Sequence, residues 1–316
     1  MPLVSIIIPV FNGANYLDQA IDSALAQTYP NCELLVVNDG STDGGATETV
    51  ARSYENRIRY FHKENGGVAS ALNMGIEKMR GEYFSWLSHD DVYLPHKISV
   101  QVNFLTSLSE KNTFLFCDYI KIDASGNILE SVCADHMAAD SDPLKAVLFQ
   151  MINGCTALIP AQELRCLGGF RNFPATQDYD LWLRLARKLS FRHIPQAVLY
   201  ARQHNRQGSI TSEAIAEVNK FWIQTLSSLS DDEIFRIAPT KSLFFAIMAS
   251  AFSDWNFRRV QHFAWKKAPR AAWFCYYAAN PRRVFKNAAC FCGLLPTIAR
   301  AKRLLSGTGR PEGRNE

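Results

Sequence analysis

Val4–Val10 reads Val-Ser-Ile-Ile-Ile-Pro-Val, an almost unbroken apolar run rich in β-branched residues. That is the pattern of a strand buried on both faces. Pro9 sets its end, and Phe11-Asn12-Gly13 forms a turn. From Asn15 or Asp18 to about Ala26, Leu17, Ile21 and Leu25 recur at a spacing of four and predict an amphipathic helix. The alternation then repeats. Residues 32–37 form a second strand, followed by the polar turn 38–45 and a helix from about Ala46. Residues 58–61 form a third, and the turn Glu64-Asn65-Gly66-Gly67 leads to a helix lined by Val68, Leu72 and Ile76. Residues 82–87 form a fourth strand that ends in Ser88-His89-Asp90-Asp91. Pro95 then opens a helix to about Leu108, with Ile98, Val102 and Leu105 on one side. Repeated strand–turn–helix units of this length predict a doubly wound, mostly parallel sheet of α/β class.

Further along, residues 113–121 read as a strand, 123–127 as a hairpin turn and 128–132 as its return. Residues 134–142 are polar and irregular, and a helix follows near 144–150. Asn153-Gly154-Cys155 precedes a short strand at 156–159, and 167–171 form a tight loop. Leu181, Trp182 and Leu185 face inward from a helix that begins around Gln177-Asp178, and 191–200 form a closing strand. Beyond Ser212 the turn signals thin out and the pattern becomes helical. Two parts are expected: a catalytic domain over residues 1–210 and a helical, basic and aromatic C-terminal extension over 211–316.

The chain has 316 residues, of which 47% are hydrophobic and 20% charged, enough to bury a full core. The net charge of +4 is unevenly spread. Residues 255–316 carry +11 and residues 1–254 carry −7. An acidic body argues against nucleic acid as a partner. A basic tail with aromatic patches suits an anionic membrane surface. The same patches could instead cover a homodimer interface. Eight cysteines lack Cys-x-x-Cys and zinc spacings, so they read as reduced, mostly buried thiols. The N-terminus lacks a signal peptide's basic start, and no apolar run is long enough to span a bilayer. A cytoplasmic protein is expected, either free or peripheral on the inner face of the cell membrane.

The candidate chemistry lies at the strand ends. Two adjacent carboxylates, Asp90 and Asp91, at the edge of a buried strand are costly unless they meet a cation, a ligand or water. That edge is where open α/β sheets bind ligands. Asp39 enters a Gly/Ser-rich turn after the second strand, a layout suited to a nucleotide. The turn is neither Gly-x-Gly-x-x-Gly nor a P-loop, so dinucleotides and ATP transfer are not favoured. Asp178 sits in the first turn of its helix, where amides and dipole favour a carboxylate, and where an ordinary cap also sits. Arg202, His204 and Arg206 lie in a polar loop that could close over phosphates or lie on the solvated surface.

Several blocks, taken in order, resemble family 2 glycosyltransferases: residues 4–12, 24–30, 37–43, 64–67, 71–75, the run to Asp90-Asp91-Val92-Tyr93-Leu94-Pro95, and Gln177-Asp178-Tyr179-Asp180-Leu181-Trp182-Leu183-Arg184. The resemblance covers about residues 3–208. It implies a GT-A fold and inverting transfer from a UDP- or dTDP-linked sugar, with Mn²⁺ or Mg²⁺ as cofactor. By the same resemblance Pro9, Phe11 and Asp39 hold the base and ribose, and Asn12 and Asn65 join that donor-binding group. Ser88 stands at the first acid of the Asp-x-Asp motif, with His89 next and Asp90 as the metal contact. His204 is implied near the metal or diphosphate, with Arg202 and Arg206 assisting from the same loop. Asp178 falls at the catalytic base, and Gln177 stands where Glu often precedes it. Asp91, Asn153, Gly154, Cys155 and Gln177 are candidate donor-sugar or acceptor contacts. The implied acceptor is a surface polysaccharide, a lipopolysaccharide or a lipid-linked saccharide. Two alternatives stay open. One is a non-catalytic scaffold in an assembly complex. The other is a sugar nucleotidyltransferase, which needs a basic phosphate loop that residues 11–16 lack.

Overall fold

The computed structural model describes residues 1–134, 140–150, 152–204, 211–254 and 258–268. Five strands form the first sheet: β1 (Val4–Val10), β2 (Cys32–Asn38), β3 (Arg59–His62), β4 (Tyr83–Trp86) and β8 (Ile159–Pro160). Their order is β3-β2-β1-β4-β8. The first four are parallel, and β8 runs antiparallel to β4. All seven residues of β1 are buried, as its unbroken apolar run requires. The chain winds outward from β1 to β3 and returns to β4 on the other side. The strand order therefore reverses between β1 and β4, the position at which such sheets open a crevice.

Helices α1 (Leu17–Leu25), α2 (Ala46–Arg52), α3 (Val68–Lys78) and α4 (Lys97–Ser107) follow the expected units. In α1 the buried stripe is Leu17, Ala20, Ile21 and Ala24. Leu25, expected in that stripe, is the last residue of the helix and is 37% exposed, with Ala24 taking the buried position beside it. The expected strand at 156–159 is instead a 3-10 turn, Gly154–Thr156, followed by β8. The cause is packing: a Cβ on Gly154 would stand 2.4 Å from the Trp86 ring. Only glycine lets the turn close over the indole. A helix at Ala161–Cys166, here α6, precedes the Gly168-Gly169 loop. It has no counterpart in the sequence expectation.

A second sheet covers one side of the domain. It contains β5 (Val92–Tyr93), β9 (Ser190–Arg202), β6 (Thr113–Ile122) and β7 (Ile128–Val132), in the order β5-β9-β6-β7. Phe114 of β6 and Phe191 of β9 stack at 4.2 Å, and Trp182 meets Phe114 edge-on at 4.8 Å. This cluster seats helix α7 (Gln177–Leu185) on the sheet. Helix α5 (Pro143–Phe149) starts at Asp142, whose side chain caps Leu144 and Lys145. Of the five described cysteines, Cys117 and Cys155 are buried, while Cys133 and Cys166 are exposed. The expectation of mostly buried thiols fails for those two, which lie just past β7 and at the end of α6.

The chain divides into two compact units, residues 1–218 and the remainder. Helix α8 (Ser212–Ser228) spans the division. The second unit continues with α9 (Asp231–Ile237), α10 (Lys241–Asp254) and α11 (Arg258–Lys267). Ser230 and Glu233 form a reciprocal capping box on α9, and Trp222 packs on Phe252 at 5.2 Å. No single helix among the described residues is long and apolar enough to cross a membrane. The aromatic and arginine-flanked segments read from 271 to 303 lie outside the described residues.

Candidate active site

The β1–β2 edge comes first. Pro9 is buried within β1, in register with Val37, and Phe11 emerges at the strand's end with 44% of its surface exposed. Asn12 takes a left-handed conformation with φ of 49°. Its amide donates to Ser41 Oγ at 2.9 Å, its Oδ1 accepts from Thr42 N at 2.7 Å, and its Nδ2 donates to Thr42 Oγ1 at 3.2 Å. Asn12 therefore latches the two strand-end loops together. Asp39 is 3% exposed. Its carboxylate accepts from Gly67 N at 2.7 Å and Gly66 N at 3.1 Å, and pairs with Lys63 Nζ at 2.7 Å. These amides open α3, so Asp39 closes that helix N-terminus. Asn65 Nδ2 donates to the Asp39 carbonyl at 2.9 Å.

The acid pair sits between β4 and β5. Asp90 is 8% exposed, and His204 Nε2 lies 2.9 Å from its Oδ2. Asp91 is turned into the protein, its Oδ1 accepting from Arg202 N at 2.8 Å. Burial, then the neighbouring Asp90 charge, push the Asp91 carboxyl well above the usual carboxylate range. The neighbouring His89 packs its ring against Gly13, where a Cβ would approach it to 2.3 Å. Burial holds the His89 imidazole below its ordinary value. Ser88 meets the Gly154 turn: Cys155 Sγ lies 3.2 Å from Ser88 N and 3.3 Å from Ser88 Oγ. Asn153 caps that turn through Cys155 N at 2.8 Å.

Arg202 braces this region. Its Nε donates to the Asp90 carbonyl at 2.9 Å, its second terminal nitrogen (Nη2) to Gln19 Oε1 at 2.8 Å, and Nη1 to the Ala124 carbonyl at 3.1 Å. The guanidinium also lies 4.4 Å over the Tyr16 ring, whose other neighbour is His204 at 5.6 Å. Arg202 thus ties helix α1, the β6–β7 hairpin and the acid loop together with every side-chain nitrogen engaged. Arg206 lies outside the described residues.

Asp178 occupies the first turn of α7 and keeps part of its surface open. Its Oδ1 accepts from Tyr179 N at 2.8 Å. Burial pushes its carboxyl up to about 6, against the pull of the backbone amides, and the Glu217 charge adds to the rise. Glu217 on α8 holds the lead-in to the helix. It accepts from Ala175 N at 2.9 Å, Thr176 N at 3.2 Å and Thr176 Oγ1 at 2.5 Å. Beside Asp178, Gln177 Oε1 is buried without a hydrogen-bond partner among the described residues, as is Trp86 Nε1 at the end of β4. Unpaired buried polar atoms are costly and call for an explanation, a bound ligand among them.

The sequence candidates therefore fall into three groups. Pro9, Phe11, Asn12, Asp39 and Asn65 share one strand edge. Ser88, His89, Asp90, Asp91, Asn153, Gly154, Cys155, Arg202 and His204 form a second, contiguous group. Gln177 and Asp178 stand apart, with no hydrogen bond to either group among the described residues. An aromatic chain links them to the acid loop: Trp86 to Phe170 at 6.0 Å, then Phe170 to Trp182 of α7 at 6.3 Å. Sequence reading missed Lys63, Glu217 and Tyr16. Lys63 directly precedes the recognised 64–67 turn, which was its only signal; Glu217 lay past the expected domain boundary and carried none.

Among the described residues no group of three His, Cys, Asp or Glu could hold a metal ion. Asp90 and His204 still suit a hard cation of the Mg²⁺ or Mn²⁺ kind. Such ions are commonly held by one or two protein groups while substrate phosphates and water fill the remaining positions.

The Glycosyl transferase family 2 model matches residues 5–132. An uncharacterized glycosyltransferase of Rickettsia felis is 47% identical over 258 residues, which is 80% of this chain and 43% of that protein. Another, from Rickettsia typhi, is 44% identical over 256 residues, covering 79% of this chain and 80% of that protein. The chain spans less than half the length of several of these relatives. Among solved structures, Staphylococcus aureus TarS 1–349 in complex with UDP-GlcNAc superimposes with a TM-score of 0.61 at 16% identity, over 86% of this chain and 78% of that one. The mannosyltransferase PcManGT of Pyrobaculum calidifontis, in complex with GDP-Man and Mn²⁺, gives 0.56 at 17% identity, over 98% and 88%. At such identities the likeness is one of fold, and that fold is GT-A.

Proposed function

Because the chain belongs to glycosyl transferase family 2, we propose that it is a metal-dependent, inverting glycosyltransferase. It moves a sugar from a nucleoside diphosphate donor to a hydroxyl of a saccharide or lipid-linked saccharide. The observation that carries this reading is Asp178: the carboxylate of a half-buried residue, raised by burial to about 6, on a helix start whose lead-in residues Glu217 already holds. A base poised near the working pH is what proton removal from a hydroxyl needs.

Transfer breaks the C1–O bond of the donor and leaves a nucleoside diphosphate. The acceptor oxygen forms the new bond at C1 from the opposite face while Asp178 takes its proton, which gives inversion. Exposed Phe11 offers a ring face to the base, and Asp39 and Asn65 shape that edge of the pocket. Asp90 and His204 would hold the cation, which supplies neutralisation of charge on the departing diphosphate. Asp91, buried against Arg202 and Cys155, shapes the acid loop. Gln177 and the Asn153–Cys155 turn face the sugar or the acceptor. The donor complexes of TarS and PcManGT support a nucleotide-sugar substrate, and the PcManGT complex supports Mn²⁺.

For the acceptor, we favour growing surface polysaccharide or a lipid-linked intermediate at the cytoplasmic face of the membrane. The putative teichuronic acid biosynthesis glycosyltransferase TuaG of Bacillus subtilis, 30% identical over 192 residues, supports that class. The basic C-terminal region supports membrane contact. A thermal-shift panel of UDP-, dTDP- and GDP-sugars with and without Mn²⁺ tests the donor. One donor should raise the Tm in a Mn²⁺-dependent way and be consumed by the wild type. A panel with no shift and no turnover would overturn the proposal.

A further inference from the structure

Lys97 is the largest fully buried charged side chain among the described residues, with none of its surface exposed. Its ammonium donates to Ser85 Oγ at 2.8 Å, Gln101 Oε1 at 2.9 Å and the Ala157 carbonyl at 3.3 Å, and lies 4.4 Å over the Tyr93 ring. All three acceptors are neutral. Burial holds the ammonium down, to about 8. Among the described residues the ammonium has no carboxylate partner, and a buried cation so placed is an expensive way to fill a core. What Lys97 joins gives its position a purpose.

One arm runs to β4. Ser85 Oγ is 2.8 Å from Tyr93 OH, and Tyr93 OH donates to the Trp86 carbonyl at 2.5 Å. This fixes the strand immediately before Ser88. The other arm runs to the Gly154 turn. Lys97 takes the Ala157 carbonyl directly, and Gln101 Nε2 takes the Thr156 carbonyl at 2.7 Å. Lys97 and Gln101 are one helical turn apart, so α4 presents both to the same seam. The two segments gripped from below meet again above, where Cys155 contacts Ser88. The ammonium is thus the pin of a closed ring: Ser85, Trp86 and Ser88 on one side, Ala157, Thr156 and Cys155 on the other.

We propose that Lys97 is a positioning residue, which sets the acid loop 88–91 against the Gly154 turn and so fixes the geometry with which that loop meets the donor diphosphate. The inference rests on the functional reading above. No lesser side chain offers three donors from one point: the ammonium can hold three acceptors, from two strand ends and a helix, where a hydroxyl has one proton to donate.

The test compares Lys97→Met with the wild type well below each protein's own Tm. Binding of UDP and of uridine, or of GDP and guanosine if the wild type prefers that pair, is measured by calorimetry with Mn²⁺ present. Nucleoside diphosphate affinity and turnover should each fall about tenfold or more, the size of effect seen when groups supporting a metal site are removed. Nucleoside affinity, which the β1–β2 edge carries in this reading, should stay at the wild-type value. In a double-mutant cycle with Cys155→Ala the two losses should be strongly non-additive, because both act through the Ser88–Cys155 contact. If Lys97→Met does not fold, Ser85→Ala, which removes the β4 arm together with the 3.3 Å contact from Ser85 Oγ to the Ala157 carbonyl, is held to the same outcomes. Unchanged diphosphate affinity, an equal loss for nucleoside and diphosphate, or full additivity would each overturn the inference. A wild-type protein that binds no nucleoside diphosphate would defeat the functional reading and this inference with it. Normal wild-type binding beside an unaffected variant defeats the inference alone.

Discussion

Asp39 and Asp178 both stand at the N-terminal ends of helices, and the protein treats them in opposite ways. Asp39 takes the amides of Gly66 and Gly67, which lead into α3, and pairs with Lys63. Asp178 lies on α7, where Glu217 takes the amides of the lead-in residues Ala175 and Thr176; burial raises the Asp178 carboxyl, and the Glu217 charge adds a smaller push. The first carboxylate is compensated and holds structure. The second is left under-compensated, and its proton affinity rises into the useful range. A carboxylate at a helix start is therefore not a function by itself; the number of donors and cations gathered around it decides.

The largest expected break comes from Asp178→Asn. Turnover should fall by about 10²–10⁴-fold with nucleoside diphosphate affinity unchanged, because only the proton acceptor is removed. The same variant should be more stable at neutral pH. The folded pKa of Asp178, about 6, lies above its unfolded value. Its contribution to stability is therefore fully present below the unfolded pKa and is lost as pH rises through about 6. Removing the ionised form should return about 1–3 kcal/mol at pH 7.5 in urea unfolding, and the gain should vanish near pH 4. Wild-type turnover should correspondingly drop about tenfold per pH unit below about 6, measured with saturating donor.

Asp90→Ala should come next. The tightening of nucleoside diphosphate binding by Mn²⁺ should shrink by about 10–100-fold, and EDTA should give the same affinity in wild type and variant. Lys63→Met probes the other member of the comparison. It strips a buried carboxylate of its cation and should destabilise the fold by about 3 kcal/mol. That loss in urea unfolding would contrast directly with the gain from Asp178→Asn. The smallest effect is expected from Glu217→Gln, at about 1–2 kcal/mol of stability and a few-fold in turnover. Its pH–rate limb should move to lower pH, since one source of the upward shift on Asp178 is gone.

Much of the first sheet was legible because its strands are buried on both faces and read as plain apolar runs, Val4–Val10 above all. The 123–127 hairpin was legible from its turn residues, and Asp123 accepts from Ser125 N and Asn127 N as such turns do. The strands at 113–121, 128–132 and 191–200 were legible too, but their assembly into a second sheet with β5 was not. Its β5 is only Val92–Tyr93, lodged between the acid pair and Pro95, and its partner β9 lies about a hundred residues on. Side-chain allegiance was equally hidden. Nothing local shows that Asn12 latches onto Thr42, that Arg202 is turned to carbonyls, or that Asp39 faces the α3 amides. Lys97 did leave a trace. It stands between Leu94 and Ile98, with Gln101 one turn on, and so falls on the face that a helix buries.

The most direct test of two carboxylates in two roles is a calorimetric titration of nucleoside diphosphate, with and without Mn²⁺, on the wild type, Asp90→Ala and Asp178→Asn, followed by donor turnover on the same samples. The account predicts Mn²⁺-tightened binding in the wild type and in Asp178→Asn, loss of that tightening in Asp90→Ala, and turnover in the wild type alone. Mn²⁺-tightened binding that survives in Asp90→Ala, or turnover at the wild-type rate in Asp178→Asn, would contradict it.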